Sequence, residues 1–266
     1  MASPDEKLLR AVTESFTEVL KESLVGIYVH GSAAFGCYDP ARSDLDYIAV
    51  VSSEPTLEQK VSIIKKTLAA EDLAPAKGLE MHVLSLSACK SFVHPCPFLL
   101  HYSAAYRSAA TADTEGFCRE MHGFDPDLGA HITVMNAVGY PLLGPAVKDV
   151  FSPVPREDYI NSILFDVENA EEEISRDPVY FTLNLCRVLG YLRTGRVMSK
   201  ADGGRWAQNA LPEEFRPQVR YALKTYSGLS PETPDDFPSK AFARYVLREI
   251  NKQEQIPYLL AEDSRL

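Results

Sequence analysis

Two short stretches of the chain hold residues whose types and spacing suit metal-assisted chemistry on a phosphate. The first is Tyr28-Val29-His30-Gly31-Ser32, an apolar run that ends in two small residues. Such a turn lets backbone N–H groups and the Ser32 hydroxyl approach an anion at the start of a helix. The second is Ser43-Asp44-Leu45-Asp46-Tyr47-Ile48. Residues two apart on a strand point to one face, so Asp44 and Asp46 present their carboxylates together. Carboxylate oxygens suit a hard divalent ion, and magnesium is commonly held by one or two of them plus substrate phosphates. Glu80, in Gly78-Leu79-Glu80-Met81-His82, offers a third acid from a strand that can lie beside the first. With this trio a nucleotidyl transfer can be drawn. Metal neutralises a triphosphate, the third acid takes the proton of an acceptor hydroxyl, and pyrophosphate leaves. Gly-Ser or Asp-x-Asp alone would be a turn or a solvated loop. Ordered as strand, Gly-Ser, short helix, Asp-x-Asp and strand, they agree with one another.

The elements that must position these residues are legible in the hydrophobic pattern. Residues 5–23 read as an amphipathic helix, with Leu8, Leu9, Val12, Phe16, Val19 and Leu20 at helical spacing. Strands are expected at 25–30, 45–51 and 79–86, with a helix over 57–70 between the second and third. The first part of the chain is therefore α/β. Beyond about Asp127 strand signals disappear apart from a short apolar piece at 140–143, and helices are expected at 156–175, 178–194, 202–210, 213–227 and 238–253. Prolines and glycines punctuate Pro141-Leu142-Leu143-Gly144-Pro145 and Phe151-Ser152-Pro153-Val154-Pro155, which makes this the best linker candidate.

Composition narrows the classes. The 266 residues carry 27 Lys+Arg against 37 Asp+Glu, a formal charge of −10, and 45% are apolar. Disorder as the main state is excluded, and the length suits one large domain or two medium ones. Both halves are net negative and no basic stripe exists, so duplex nucleic acid is not an expected partner, whereas cations are. No stretch approaches the roughly 18 apolar residues of a membrane span, and the start lacks an export signal. The five cysteines, Cys37, Cys89, Cys96, Cys118 and Cys186, are odd in number and scattered. They read as reduced thiols in a cytoplasm.

The run from His30-Gly31-Ser32 to Asp46 resembles the signature of the DNA polymerase β-type nucleotidyltransferase superfamily. Further stretches narrow the resemblance: Pro97-Phe98-Leu99-Leu100-His101-Tyr102, Asp127-Leu128 to Thr133, Leu143-Gly144-Pro145, the run from Phe151 to Asp158, Leu183-Asn184-Leu185-Cys186-Arg187-Val188-Leu189, and Ser199-Lys200 to Trp206. They are similar to the aminoglycoside adenylyltransferases that act on streptomycin and spectinomycin. The resemblance covers nearly the whole chain. It implies an α/β plus all-α architecture, with a mixed-sheet nucleotidyltransferase domain over residues 1–150 and a helical bundle over 151–266. It also implies ATP as co-substrate and Mg²⁺ in the cleft between the two domains. By matching position, Gly31, Ser32 and Ser43 would contact the triphosphate, Asp44 and Asp46 would hold the metal, and Glu80 would be the catalytic base. The acceptor would be a small-molecule antibiotic, and the enzyme a cytoplasmic monomer conferring aminoglycoside resistance.

Two features depart from that pattern: family members that modify streptomycin use a tryptophan of the first domain, whereas the region around Ala105 and Tyr106 offers only a tyrosine, and the loop before Trp206 differs in charge. Where the family loop carries an acid just before a tryptophan, Asp202-Gly203-Gly204-Arg205-Trp206 places Arg205, a cation facing a cationic drug. Asp202 can take over the acidic role after a small shift. Trp206 is the sole tryptophan, suited to stacking on a ligand ring or to anchoring the helical bundle, and His82 shares the face of Glu80 as a further substrate candidate. Arg216, Arg220 and Lys224, four apart, form a basic ridge or, more simply, a solvated helix face. Two rivals remain: a different small-molecule, protein or RNA acceptor, and a nucleotide-binding module without turnover. The acidic charge argues against RNA, and the intact acid trio against loss of turnover.

Overall fold

A computed structural model describes residues 3–230 and 239–263. The chain divides into two compact units, Met1–Ser162 and Ile163–Leu266.

The strands of the first unit are β1 (Leu24–Val29), β2 (Leu45–Val51), β3 (Leu79–Ser85), β4 (Cys96–Phe98), β5 (Leu100–Tyr102), β6 (Gly123–Asp125) and β7 (Tyr140–Leu143). Five of them form one mixed sheet in the order β5-β3-β2-β1-β7, while β4 and β6 pair separately. Only β2 and β3 run parallel; the other pairs are antiparallel. The helices, in chain order, are α1 (Glu6–Leu20), α2 (Gly31–Ala34), α3 (Leu57–Ala70), α4 (Leu86–Lys90), α5 (Arg107–Ala112), α6 (Thr114–Glu120), α7 (Leu128–Val138), α8 (Arg156–Phe165), α9 (Ala170–Glu173), α10 (Pro178–Thr194), α11 (Lys200–Ala210), α12 (Arg216–Tyr226) and α13 (Ser239–Asp263).

Alternation along the strands sorts their side chains onto two faces. Leu45, Tyr47, Ala49 and Val51 of β2 join Leu8, Val12, Phe16 and Leu20 of α1 and Ile63 and Ile64 of α3 in one core. The α1 contacts recur every four residues, the period of a helix with one buried face, and each such buried side chain contributes about 2 kcal/mol. Local chemistry starts both helices. Asp5 accepts the Lys7 N–H at the head of α1, and Thr56 and Gln59 form a reciprocal capping box on α3. On the other face Ile48 and Val50 pack with Leu84 of β3 and with Leu128, Ile132 and Met135 of α7. Asp46 has the parity of Ile48 and Val50, so it lies on the face that α7 covers.

The expected linker is not a free connection. Pro141, Leu142 and Leu143 belong to β7, which pairs with β1 at the rim of the sheet, where the missing proline N–H costs no ladder bond. Val150 and Phe151 are buried beside Ile48, and the Phe151 ring meets Tyr28 edge-on at 5.0 Å.

In the second unit α10 packs against α11, α12 and α13. Close approach of α10 and α11 depends on glycine: a Cβ at Gly203 would lie 2.7 Å from the backbone of Arg187. The expected helix over 156–175 is broken after Phe165 and resumes briefly as α9. At the break Val167 and Ala170 donate their N–H groups to carbonyls three residues back, and the Asp166 carboxylate is drawn to Arg187 at 2.9 Å. Among the described residues no helix is long and apolar enough to cross a membrane, and all five cysteines are free thiols.

Candidate active site

The end of β1 forms the first wall of the site. The His30 N–H donates to the Asp46 carbonyl at 3.1 Å, and Gly31 then turns the chain with φ +59°. Any side chain at Gly31 would be strained by that φ and would drive its Cβ into the Asp46 carboxylate. The turn delivers Ser32, whose Oγ is buried without a hydrogen-bond partner among the described residues. A buried hydroxyl left free to donate beside a carboxylate pair fits an anionic ligand such as a phosphate.

The acids converge through sheet register. Asp44 immediately precedes β2, Asp46 is its second residue, and the parallel pairing sets Asp46 directly opposite Glu80 of β3. One carboxylate oxygen from each of Asp44, Asp46 and Glu80 lies within 4.8 Å of the other two. An all-oxygen donor set at that spacing fits a hard divalent cation, Mg²⁺ above all, rather than zinc. Burial pushes the Glu80 carboxyl above the ordinary range. His131 opposes that shift, and Asp44, Asp127 and Asp125 reinforce it.

On the other side of the site, the stretch from Asp127 to Thr133 carries part of the family resemblance, but sequence reasoning gave neither Asp127 nor His131 a role. His131 stands on α7 with Nε2 at 3.0 Å from Asp127 Oδ2 and 3.8 Å from Glu80 Oε1. Burial alone would favour its neutral ring, yet Asp127, Glu80 and Asp46 raise its pKa to about 10. Behind it His82 is 1% exposed, with Nε2 at 3.1 Å from Asp125 Oδ2 and its ring stacked on His101 at 4.1 Å. Burial would raise Asp125 too, but the His82 hydrogen bond and the Asp127 N–H bring it down to about 2. His30 and His82 are lowered chiefly by burial, as is His101, to about 3. The Asp127/His131 pair, four apart on a helix, was the available signal. It passes unnoticed when histidines are searched only for zinc spacing.

Gly31, Ser32, Asp44, Asp46 and Glu80 are thus brought together. Ser43 is buried next to them, its Oγ accepting the Asp39 N–H at 3.0 Å and so clamping the loop that leads to Asp44. His82 shares the Glu80 face as expected but is buried beneath it and engaged with Asp125, so it has no open surface to offer an acceptor.

Asp202 and Trp206 stand on α11 of the second unit, in a helix rather than a loop, because Ser199 caps its first turn. Arg205 does not project alone: it donates to Asp202 Oδ1 at 2.7 Å, while Ser199 Oγ donates to Oδ2 at 2.6 Å. The Ser199 hydrogen bond, aided by the Arg205 contact, holds the Asp202 carboxyl below the usual range against the desolvation that would raise it. Trp206 packs against α10, near enough that a Cβ at Gly190 would lie 3.2 Å from its ring. Arg220 and Lys224 are exposed on α12, and Arg216 bonds the Leu211 carbonyl.

Comparison with known proteins places these features. Residues 149–249 match the family model of the aminoglycoside adenylyltransferase C-terminal domain. An aminoglycoside (3'')(9) adenylyltransferase of Escherichia coli is 24% identical over 265 residues, covering 93% of this chain and 98% of the relative. A spectinomycin 9-adenylyltransferase of Enterococcus faecalis is 23% identical over 224 residues, covering 79% of this chain and 82% of the relative. The crystal structure of an Enterococcus spectinomycin adenyltransferase with ATP and spectinomycin superposes with a TM-score of 0.78 at 19% identity, over 92% of this chain and 98% of that one. The mixed sheet followed by helices is therefore the fold of that adenyltransferase, and the chain is similar to the aminoglycoside adenylyltransferases along nearly its whole length.

Proposed function

We propose that the protein is an ATP- and Mg²⁺-dependent adenylyltransferase that moves AMP to a hydroxyl of an aminoglycoside or aminocyclitol antibiotic and releases pyrophosphate. The observation that carries this reading is the set of three carboxylates within 4.8 Å of one another, beside a turn whose Ser32 hydroxyl is buried with no hydrogen-bond partner among the described residues. The names of the relatives support the transfer, and the solved neighbour that contains ATP and spectinomycin supports both substrates.

Asp44 and Asp46 hold Mg²⁺, which when bound offsets charge on the triphosphate. The Gly31-Ser32 turn receives the phosphates, and Ser43 stiffens the loop before Asp44. Glu80 takes the proton of the acceptor hydroxyl as that oxygen bonds to the α-phosphorus and the bond from that phosphorus to the bridging oxygen of pyrophosphate breaks. A carboxylate raised above its ordinary pKa by burial is better matched to this proton than a solvated one. In the second unit Asp202 and Trp206 are the acceptor candidates, with the Asp202 charge balanced by Arg205. His82 supports the site from below. The enzyme acts as a cytoplasmic monomer.

Incubation with labelled ATP, Mg²⁺ and a panel of aminoglycosides and aminocyclitols, read by mass, should show an acceptor gaining one AMP. Asp44→Asn and Asp46→Asn abolish that gain with the fold intact. Glu80→Gln keeps ATP binding and slows transfer by about 10²–10⁴-fold, the usual range for a positioned general base. No adduct on any acceptor, or full activity in either aspartate variant, overturns the reading.

A further inference from the structure

We propose that His131 is a positioning residue for Glu80: seated on α7 between Asp127 and Glu80, it holds the Glu80 carboxylate on the acceptor side of the acid cluster. The proposal rests on the adenylyltransferase reading and adds to it a residue from a part of the fold that does not belong to the Gly-Ser and Asp-x-Asp stretches.

Geometry carries the inference. Three carboxylates within 4.8 Å repel one another, and Glu80 is the one whose longer side chain can swing. From α7, His131 Nε2 comes to 3.8 Å from Glu80 Oε1. That separation is longer than a hydrogen bond, as catalytic contacts often are before substrate arrives, and it leaves the ring N–H within reach of the carboxylate once the contact tightens.

The ring itself cannot drift. Asp127 Oδ2 holds Nε2 at 3.0 Å, and the rings of His30 and His82 flank it with centroids at 4.9 and 5.5 Å. The helix beneath is pinned as well. Leu128, Ile132 and Met135 are buried in the core, and the Ala130 N–H donates to Ser162 Oγ at 2.8 Å. The first turn of α7 has room for that bond because residue 129 is glycine, where a Cβ would lie 3.0 Å from Ser162 Cβ. A side chain fixed this firmly near Glu80, yet outside the metal pair, fits an orienting role.

The test is a mutant cycle on the full chain, with His131→Leu, His131→Gln, Glu80→Gln and the two combinations. For each, kcat, the KM for ATP and the Mg²⁺ concentration giving half activity are measured in AMP transfer to the best acceptor of the panel. His131→Leu should lower kcat about 10²-fold, the cost of a misplacement near 1 Å, with the KM for ATP and the Mg²⁺ midpoint within about twofold. His131→Gln, whose amide reaches the Nε2 position, should restore most of that loss. In the Glu80→Gln background the leucine substitution should cost less than about threefold, because its partner is already gone.

An additive loss in that background overturns the proposal while leaving the adenylyltransferase reading intact. Unchanged kcat in His131→Leu, or a loss confined to the KM for ATP or the Mg²⁺ midpoint, does the same. Absence of AMP transfer by the wild-type chain overturns both. Should His131→Leu fail to fold, Asp127→Asn, which loosens the His131 ring, takes its place in the cycle with the same criteria.

Discussion

Replacing Gly31 by alanine separates the backbone cost of the β1 turn from its chemical purpose, and Gly195 is an internal control. Both glycines have left-handed φ, +59° and +69°. Nothing lies within 4 Å of a Cβ placed at Gly195, whereas a Cβ at Gly31 runs into the Asp46 carboxylate and approaches Asp46 Cβ at 3.1 Å. Gly195→Ala should therefore cost only the strain of a left-handed alanine, about 1–2 kcal/mol. In a domain of this size that lowers Tm by about 2–8 °C, with AMP transfer within about twofold of wild type. Gly31→Ala adds a collision, but with the far end of a side chain that can rotate away. Its Tm should fall little further, while the displaced carboxylate loses its place in the acid cluster and transfer drops about 10²-fold. Calorimetry and a transfer assay on the two variants side by side decide the matter. Equal activity in both would refute the claim that Gly31 is glycine to make room for Asp46.

Two further perturbations probe the supports of each unit. His101, lowered by burial and by neighbouring His82 to about 3, is neutral in the folded chain and protonates near 6.5 when unfolded. Its contribution to stability is thus present above pH 6.5 and is lost as pH falls below it, so Tm should decline between pH 7 and 5 and His101→Gln should flatten that decline; an unchanged slope would refute the assignment. Gly203→Ala forces a methyl group to within 2.7 Å of the Arg187 backbone and should destabilise the second unit by about 1–3 kcal/mol, read by urea unfolding, with a neutral result refuting the close helix contact.

Local spacing carried the parts of this protein whose geometry is local. Asp44 and Asp46 share a face because strands alternate, and Gly31-Ser32 turns because the strand ends there. The strands that build the center of the sheet, β1, β2 and β3, were legible for the same reason, as were α1 and α3. The short strands β4, β5 and β6 were not, since three residues hold too little pattern to stand out. Nor was α7, which is apolar on most sides because it is buried on most sides, so it shows no stripe. Helix α11 reverses an expectation about charge: Arg205 reads as an unopposed cation in the chain, yet one turn of helix brings Asp202 under it.

The sequence by itself therefore marked the candidate chemistry: which carboxylates, which turn and which class of transfer they suit. Tertiary structure decided the environment of that chemistry. Register between β2 and β3 put Glu80 opposite Asp46, and packing of α7 across that face brought Asp127 and His131 to Glu80. Pairing between distant elements depends on how whole faces bury together, and no short window of residues contains that information.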